Sequence, residues 1–276
     1  MNRQTTLIRG VNIGDVPPTP MGEFEESPFF AKTRKVFISQ AKTYGFPISF
    51  SQEQKGSLIQ NIYPKKQTEE MQISSSSKVE LGLHTETAFH RFRPTAVLLL
   101  CLRGDSNAAT TYAHSDDICA KLKPATLATL TRMWFTTSLD DSFRMNGEED
   151  IKITCSILNE TPRETYPSPR LFDICYDEAL MTGTNGQAVD ALEELREAIK
   201  SSIQTVVLEE GDLLVLNNRT TIHGRLPFEP RYDGTDRWLQ RMLVTDTMPP
   251  DNYIRMYEEH AEITSLGVRS LTGDIS

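Results

Sequence analysis

Residues 81–90 read LGLHTETAFH, and within them His84 and Glu86 set an imidazole and a carboxylate two positions apart. In a strand, residues i and i+2 project from the same face, so both can reach one metal ion. Directly after the pair comes RFRPTAVLLLCLRG, apolar enough for a core strand. An unpaired carboxylate is costly to bury, and a bound cation would offset that cost. A third ligand should come from the end of a distant strand packed opposite. His223 in TTIHGR fills that place, after the apolar LLVL and the polar NNRT. Two histidines and a carboxylate on one face of an ion leave its other positions open, as in non-haem Fe(II) oxygenases. The same three ligands would also serve a zinc hydrolase with a metal-bound water. A histidine-x-acid triplet alone is a weak signal, since most lie on surface strands without metal. His114 and His260 read as surface residues, and His90 as a packing residue or one that supports a ligand rather than a ligand itself.

These donors need strands to carry them. TAVLLLCLRG has the length and apolar content of a fully buried strand. VELGLHTE alternates Val79, Leu81 and Leu83 against Glu80, Gly82, His84 and Glu86, the period-2 pattern of a half-buried one. TTLIRGVNI, FPISF, SLIQNIYP and IKITCSIL also read as strands, with QKG turning between the second and third. TVVLEEGDLLVLNNRTTIHGR reads as strand, Gly-Asp turn, strand and then a polar segment ending in His223; WLQRMLVTD is the last strand before a polar tail. A helix is expected through FFAKTRKVFISQAKTYG, ending at Gly45, and two short ones through SDDICAKLKPATLATLTRMW, broken near Pro124. The clearest helix is QAVDALEELREAIKSSI, with Ala188, Leu192, Leu195, Ile199 and Ile203 at 3.6-residue spacing. Strands dominate without regular helical crossovers, which predicts a mostly β fold with flanking α, a sandwich or barrel with outer helices. No linker interrupts residues 1–276, so one domain is expected.

A net charge of −9 argues against a nucleic-acid partner and against an anionic membrane surface. The four cysteines are scattered without a CxxC pair, and Cys101, inside the apolar run, reads as a reduced core thiol. MNRQTTLIRGVNIG lacks the apolar core of a signal peptide, and AVLLLCL falls far short of a membrane span of about 20 residues. A cytoplasmic protein is expected.

Two blocks, SSSSKVELGLHTETAFHRFRPTAVLLLCLRGD and LEEGDLLVLNNRTTIHGRLPFEPRYDGTDRWLQR, resemble the clavaminate-synthase-like branch of the Fe(II)/2-oxoglutarate-dependent oxygenases. That branch includes the free arginine, asparagine and lysine hydroxylases, and the resemblance runs more loosely from LIRGVNI through TMPPDN. It implies a double-stranded β-helix (jelly-roll) core with a lid-like insertion at about 136–187. It also implies His84, Glu86 and His223 as the iron ligands, with Fe(II), 2-oxoglutarate and O₂ as cofactor and cosubstrates. Relatives carry a longer helical N-terminal region, whereas this chain begins near their first core strand. The far carboxylate of 2-oxoglutarate demands a fixed planar cation, which arginine supplies bidentately. DRWLQR offers Arg237 and Arg241, and the family's 2-oxoglutarate arginine falls at Arg237. Thr110 in NAATTY matches a family threonine that helps hold the same carboxylate, with Thr111 as the neighbouring alternative. Related halogenases lack a carboxylate where Glu86 stands, so hydroxylation is implied.

The implied substrate is a free L-amino acid, oxidised at an unactivated C–H such as C3 or C4, in natural-product biosynthesis. Arg241 would pair with its α-carboxylate, and Glu86 would accept from its α-ammonium while binding iron. Ser74 in ISSSSK matches a family segment lining the substrate, and Gln54 in the QKG turn is a further head-group contact. Asp173 and Asp177, in RLFDICYDEALMTG, would receive a cationic tail, which favours lysine, arginine or ornithine over citrulline or asparagine. Beside the zinc hydrolase stands a third reading, a non-catalytic jelly-roll that binds a small molecule; intact ligands and an intact Arg237 speak against it.

Overall fold

The computed structural model describes residues 5–25, 30–140, 143, 151–160 and 172–265. Strand β1 (Thr6–Ile8) precedes helix α1 (Ala31–Lys42), followed by β2 (Phe46–Phe50), β3 (Gln60–Ile62), β4 (Leu81–His84), β5 (Ala96–Arg103) and β6 (Thr110–His114). Helices α2 (Ser115–Cys119) and α3 (Pro124–Leu130) lead to β7 (Phe135–Thr137), β8 (Ile153–Cys155), β9 (Leu158–Glu160), β10 (Phe172–Ile174) and β11 (Thr182–Gly183). After α4 (Gly186–Lys200) come β12 (Gln204–Val206), β13 (Leu213–Asn217), β14 (Thr221–Arg225), β15 (Trp238–Thr245), β16 (Ile254–Met256) and β17 (Ala261–Ile263).

The fold is mostly β with flanking helices, as the strand-rich sequence predicts. The larger sheet has the order β1-β13-β5-β15-β2-β17-β16, with β3 also paired to β15, and the smaller runs β12-β6-β14-β4. Alternation along β5 builds two layers at once. Val97, Leu99 and Cys101 join Ile48, Leu214, Leu239 and Leu243 in a core that Tyr112 and Val206 of the smaller sheet border. Ala96, Leu98, Leu100 and Leu102 face outward, where Phe37, Ile38 and Ala41 of α1 cover them. Ala113 and Ile222 of the smaller sheet instead join Leu192, Leu195 and Ile199 of α4 in a third apolar layer. The site lies between the sheets because only that gap receives side chains from both.

Several elements differ from expectation. The strand predicted through Glu86 stops at His84, and Thr87 adopts a left-handed φ of 50°. The Ala- and Thr-rich segment before His114 forms β6, and the polar segment ending in His223 forms β14, whose five residues are all buried. Two strands follow the one expected to be last, and β17 pairs in parallel with β2. Helix α4 ends at Lys200 rather than reaching Ile203, because the Ser201 and Ser202 hydroxyls both turn back to the Ala198 carbonyl. Within the expected insertion, residues 141–142, 144–150 and 161–171 lie outside the described residues. Its described part includes Cys155, Leu158, Phe172, Ile174 and Tyr176, which pack in the α4 layer. No helix among the described residues is long and apolar enough to cross a membrane.

Candidate active site

Strand β14 lies between β4 and β6. Ile222 points into the α4 layer, which leaves His223 and Arg225 to line the cavity between the sheets. On β4, Leu83 likewise enters the α4 layer while Gly82 and His84 line the cavity. His223 and His84 are register partners, with ring centroids 4.6 Å apart. Gly224 permits that approach: a Cβ there would fall against the Leu81 carbonyl and 3.0 Å from Thr111 Oγ1.

Glu86 reaches the same point from beyond the end of β4. Donor atoms of His84, Glu86 and His223 all lie within 4.8 Å of one another, the single such cluster found among the described residues. The chain holds two further histidine-x-acid triplets, His114/Asp116 and His260/Glu262, and neither gathers a third ligand. His84 Nδ1 donates to the Gly82 carbonyl at 2.9 Å, which fixes the tautomer and leaves Nε2 as the free lone pair. Glu86 Oε1 accepts from Arg241 Nη1 at 2.7 Å. Glu86 Oε2 is buried without a hydrogen-bond partner, 3.5 Å from His223 Nε2. Burial alone would raise the Glu86 carboxyl, but Arg241, then His223 and His84, hold it well below the usual carboxylate range. Burial and the neighbouring His84 push His223 down. An ionised acid, two imidazoles beside it and an orphaned buried oxygen are what a divalent cation requires, so the residues fit one.

Three arginines line the cavity, in three different states. Arg241 is saturated on one side: Nε donates to Gln60 Oε1 at 2.6 Å, Nη1 to Glu86, and Nη2 to Glu53 Oε1 at 2.6 Å. Arg225 donates to the Ser76 carbonyl, to Ser76 Oγ at 3.1 Å and to the Val79 carbonyl at 2.7 Å, strapping the serine loop beside the cavity. Arg237 donates from Nη2 to Thr110 Oγ1 at 3.2 Å, and no carboxylate among the described residues pairs with it. Burial pushes its pKa down to about 10. A buried guanidinium without an anion is costly, and its open face borders the cavity.

Of the residues expected to touch substrate, Ser74, Asp177, Glu86 and Arg241 line this cavity. Gln54 lies outside its lining, on an adjoining cavity that shares Glu53, Ile73 and Ser74 with it. Asp173 sits in β10 opposite Asn159, also outside the lining. Asp177 Oδ1 accepts from the Ala179 and Leu180 amides, each at 2.9 Å, and burial raises its pKa. The sequence reading missed Glu53, Arg225 and Asp140, all of which line the cavity. Burial, then Asp177, Glu86 and Glu53, push the Asp140 carboxyl well above its ordinary value. Their local sequences carry no special spacing; only folding brings them together. His90 is fully buried against Phe50 and Phe89, as a packing residue should be, while His114 and His260 are half-buried rather than at the surface.

Comparison with known proteins agrees with this geometry. An L-asparagine oxygenase of Streptomyces coelicolor is 32% identical over 265 residues, covering 90% of this chain and 75% of the relative. An L-lysine 3-hydroxylase of Catenulispora acidiphila is 31% identical over 252 residues, covering 88% and 68%. The crystal structure of the non-heme iron oxygenase OrfP in complex with Fe and alpha-ketoglutaric acid superposes with a TM-score of 0.80 at 28% identity, covering 94% of this chain and 80% of that one. Residues 24–243 match the taurine catabolism dioxygenase TauD, TfdA family, and the chain belongs to that family of dioxygenases.

Proposed function

We propose that this chain is an Fe(II)- and 2-oxoglutarate-dependent hydroxylase of a free, basic L-amino acid, acting at C3 or C4. The observation that carries the reading is the unpaired Arg237 guanidinium opening onto the cavity of the His84–Glu86–His223 cluster. A zinc hydrolase has no use for that cation, whereas a keto-diacid bound to the metal needs it for its far carboxylate. Bound iron supplies O₂ activation at the expense of 2-oxoglutarate, which leaves as succinate and CO₂. His84, Glu86 and His223 hold the ion, and Arg237 with Thr110 orients the cosubstrate. Arg241 holds Glu86 through Oε1 and leaves Oε2, 3.5 Å from His223 Nε2, available to a metal; two of the five N–H groups of Arg241 remain for a substrate α-carboxylate. Glu86 and Ser74 meet the amino-acid head group. The two facing sheets form the double-stranded β-helix of a single catalytic domain, with the residues around 136–187 as its lid-side insertion.

Charge supports the basic substrate. Arg241 already answers Glu53 and Glu86, which leaves Asp140 and Asp177 on the cavity wall, both with raised pKa values that a cationic side chain would lower. The similar lysine 3-hydroxylase acts on such a substrate, while the similar asparagine oxygenase keeps a neutral polar one as the second reading. A panel of free L-amino acids incubated with Fe(II), 2-oxoglutarate and air, read by mass for one added oxygen, tests it. Turnover of asparagine or citrulline with none of lysine, arginine or ornithine refutes the basic preference. An anaerobic Fe(II) and 2-oxoglutarate titration tests the class, because the chelate gives a visible charge-transfer band and a zinc hydrolase gives none.

A further inference from the structure

Glu86 poses a problem that His84 and His223 do not. Both histidines sit on paired strands, so the ladder fixes their backbones. Strand β4 has ended before Glu86, and Thr87 next to it is left-handed. Backbone pairing ends one residue earlier, where the Thr85 N–H meets the Tyr176 carbonyl at 2.7 Å, and a carboxylate ligand beyond that point would wander by more than a metal site tolerates.

We propose that Asn218 is a positioning residue for the metal, one that replaces the missing strand by gripping the main chain of Glu86. Its side-chain Oδ1 accepts the Glu86 N–H at 2.8 Å, and its Nδ2 donates to the Glu86 carbonyl at 3.1 Å. The amide thus makes both bonds that a neighbouring strand residue would make. The same Nδ2 donates to the Pro94 carbonyl at 2.9 Å, and the Asn218 backbone N–H donates to the Thr95 carbonyl at 3.0 Å. One buried side chain therefore ties both ends of the 86–94 excursion.

Position adds to the argument. Asn218 follows β13 of the larger sheet and precedes β14, which carries His223. The acid ligand is thereby pinned to the segment that delivers the distal histidine, and the two cannot drift independently. Arg241 then sets the carboxylate itself through Oε1, so backbone and side chain are each held by a separate residue. Asn218 touches neither metal nor substrate; it acts through Glu86, and the inference rests on the ligand role proposed for that residue.

The test compares Asn218→Ala and Asn218→Asp with Arg219→Ala, a neighbouring change whose side chain pairs with Asp246 at the surface. Asp keeps the shape and the acceptor but sets a second oxygen against the Glu86 and Pro94 carbonyls. Anaerobic Fe(II) and Mn(II) dissociation constants are measured alongside the melting temperature of the metal-free chains. Both Asn218 variants should bind metal roughly 10- to 100-fold more weakly, the range for residues that orient a ligand, while Arg219→Ala binds like wild type. Metal affinity within twofold of wild type in either Asn218 variant, whatever its melting temperature, overturns the proposal. A wild-type chain that binds no metal overturns the ligand assignment instead. Should both variants fail to fold, amide exchange in the wild-type chain decides: the Glu86 N–H should be protected like those of β14, and rapid exchange refutes the grip.

Discussion

Arg237→Met should make the ligand-free protein more stable and forfeit most of the stabilisation that bound ligand supplies. In the free chain the guanidinium is buried, and burial moves its pKa from 12.5 to about 10. At 1.36 kcal/mol per pKa unit, that shift corresponds to a cost of about 3 kcal/mol. The sign follows from linkage: a cation whose folded pKa lies below its unfolded value is destabilising at any pH below both, so the full cost is present at neutral pH. Methionine fills a similar shape without the charge. The variant forfeits the hydrogen bond to Thr110, worth about 1 kcal/mol, so a net gain of about 2 kcal/mol is expected. For a chain of this size that amounts to a melting temperature higher by about 4 °C.

With Fe(II) and 2-oxoglutarate present that lead should be cancelled. A bidentate charge-assisted pair with the far carboxylate is worth roughly 2–4 kcal/mol, so its loss should weaken cosubstrate binding about 30- to 1000-fold. Wild type at 100 times its dissociation constant gains about 2.7 kcal/mol from the ligand, and the variant only about 0.1–0.9 kcal/mol, which offsets the lead of about 2 kcal/mol that the free variant holds. Differential scanning calorimetry with and without the keto-diacid, under anaerobic conditions, reads both halves. A variant destabilised by more than about 1 kcal/mol when free, or one binding 2-oxoglutarate within threefold of wild type, would refute the view of Arg237 as a cation awaiting its anion.

Three further outcomes follow from the same geometry. Gly224→Ala sets a methyl against the Leu81 carbonyl between the two histidine strands, so stability should fall by about 1–3 kcal/mol and Mn(II) affinity with it, read by thermal melting and metal titration. Buried His90 accepts the Phe92 N–H on Nδ1 and donates from Nε2 to the Ser265 carbonyl; burial pushes its pKa down from 6.5 to about 4. The unfolded chain therefore takes up a proton first, so this contribution is complete above pH 6.5 and lost as pH falls through about 4. It amounts to about 3 kcal/mol, and a His90→Phe variant should show a flatter dependence of its urea midpoint over that window. Asp140→Asn removes a carboxyl group from the cavity wall, so KM for a cationic amino acid should rise at least tenfold while KM for 2-oxoglutarate stays unchanged; equal rises in both would show a structural role instead.

The chemistry was more legible in the sequence than the elements that carry it. The clustering of His84, Glu86 and His223 was legible because histidine is scarce, five in the chain, and one of them stands two positions from an acid; Arg237 was singled out because a keto-diacid would demand one fixed cation. The alternation argument brought Glu86 beside His84 and His223, for a reason only half right. His84 does sit on a strand, but Glu86 lies beyond its end, and a side-chain amide from 132 residues away supplies the missing pairing. Strands β6 and β14 escaped notice because Thr110, His223 and Arg225 face the cavity while only Ala113 and Ile222 enter the apolar layer, so the hydrophobic alternation that marks a strand is weak. Glu53 and Asp140 share that cause: their environment is made by residues far along the chain, and no local pattern encodes it.

The division of labour between the sheets explains why the site needs both. The smaller sheet carries the two histidines, the larger carries Arg241 on β15, with Arg237 immediately before it, and Glu86 belongs to neither. It is bound to each: Arg241 holds its carboxylate from the larger sheet, and Asn218, at the crossing between sheets, holds its backbone. Sliding one sheet against the other would therefore separate the two histidines from Arg237 and strain both of those grips at once. Resistance to that slide comes from Leu99, Leu239 and Phe89 in the layer between the sheets, which close-packing makes hard to shear. The apolar core between the sheets is in this sense part of the active-site geometry, although none of its atoms does chemistry.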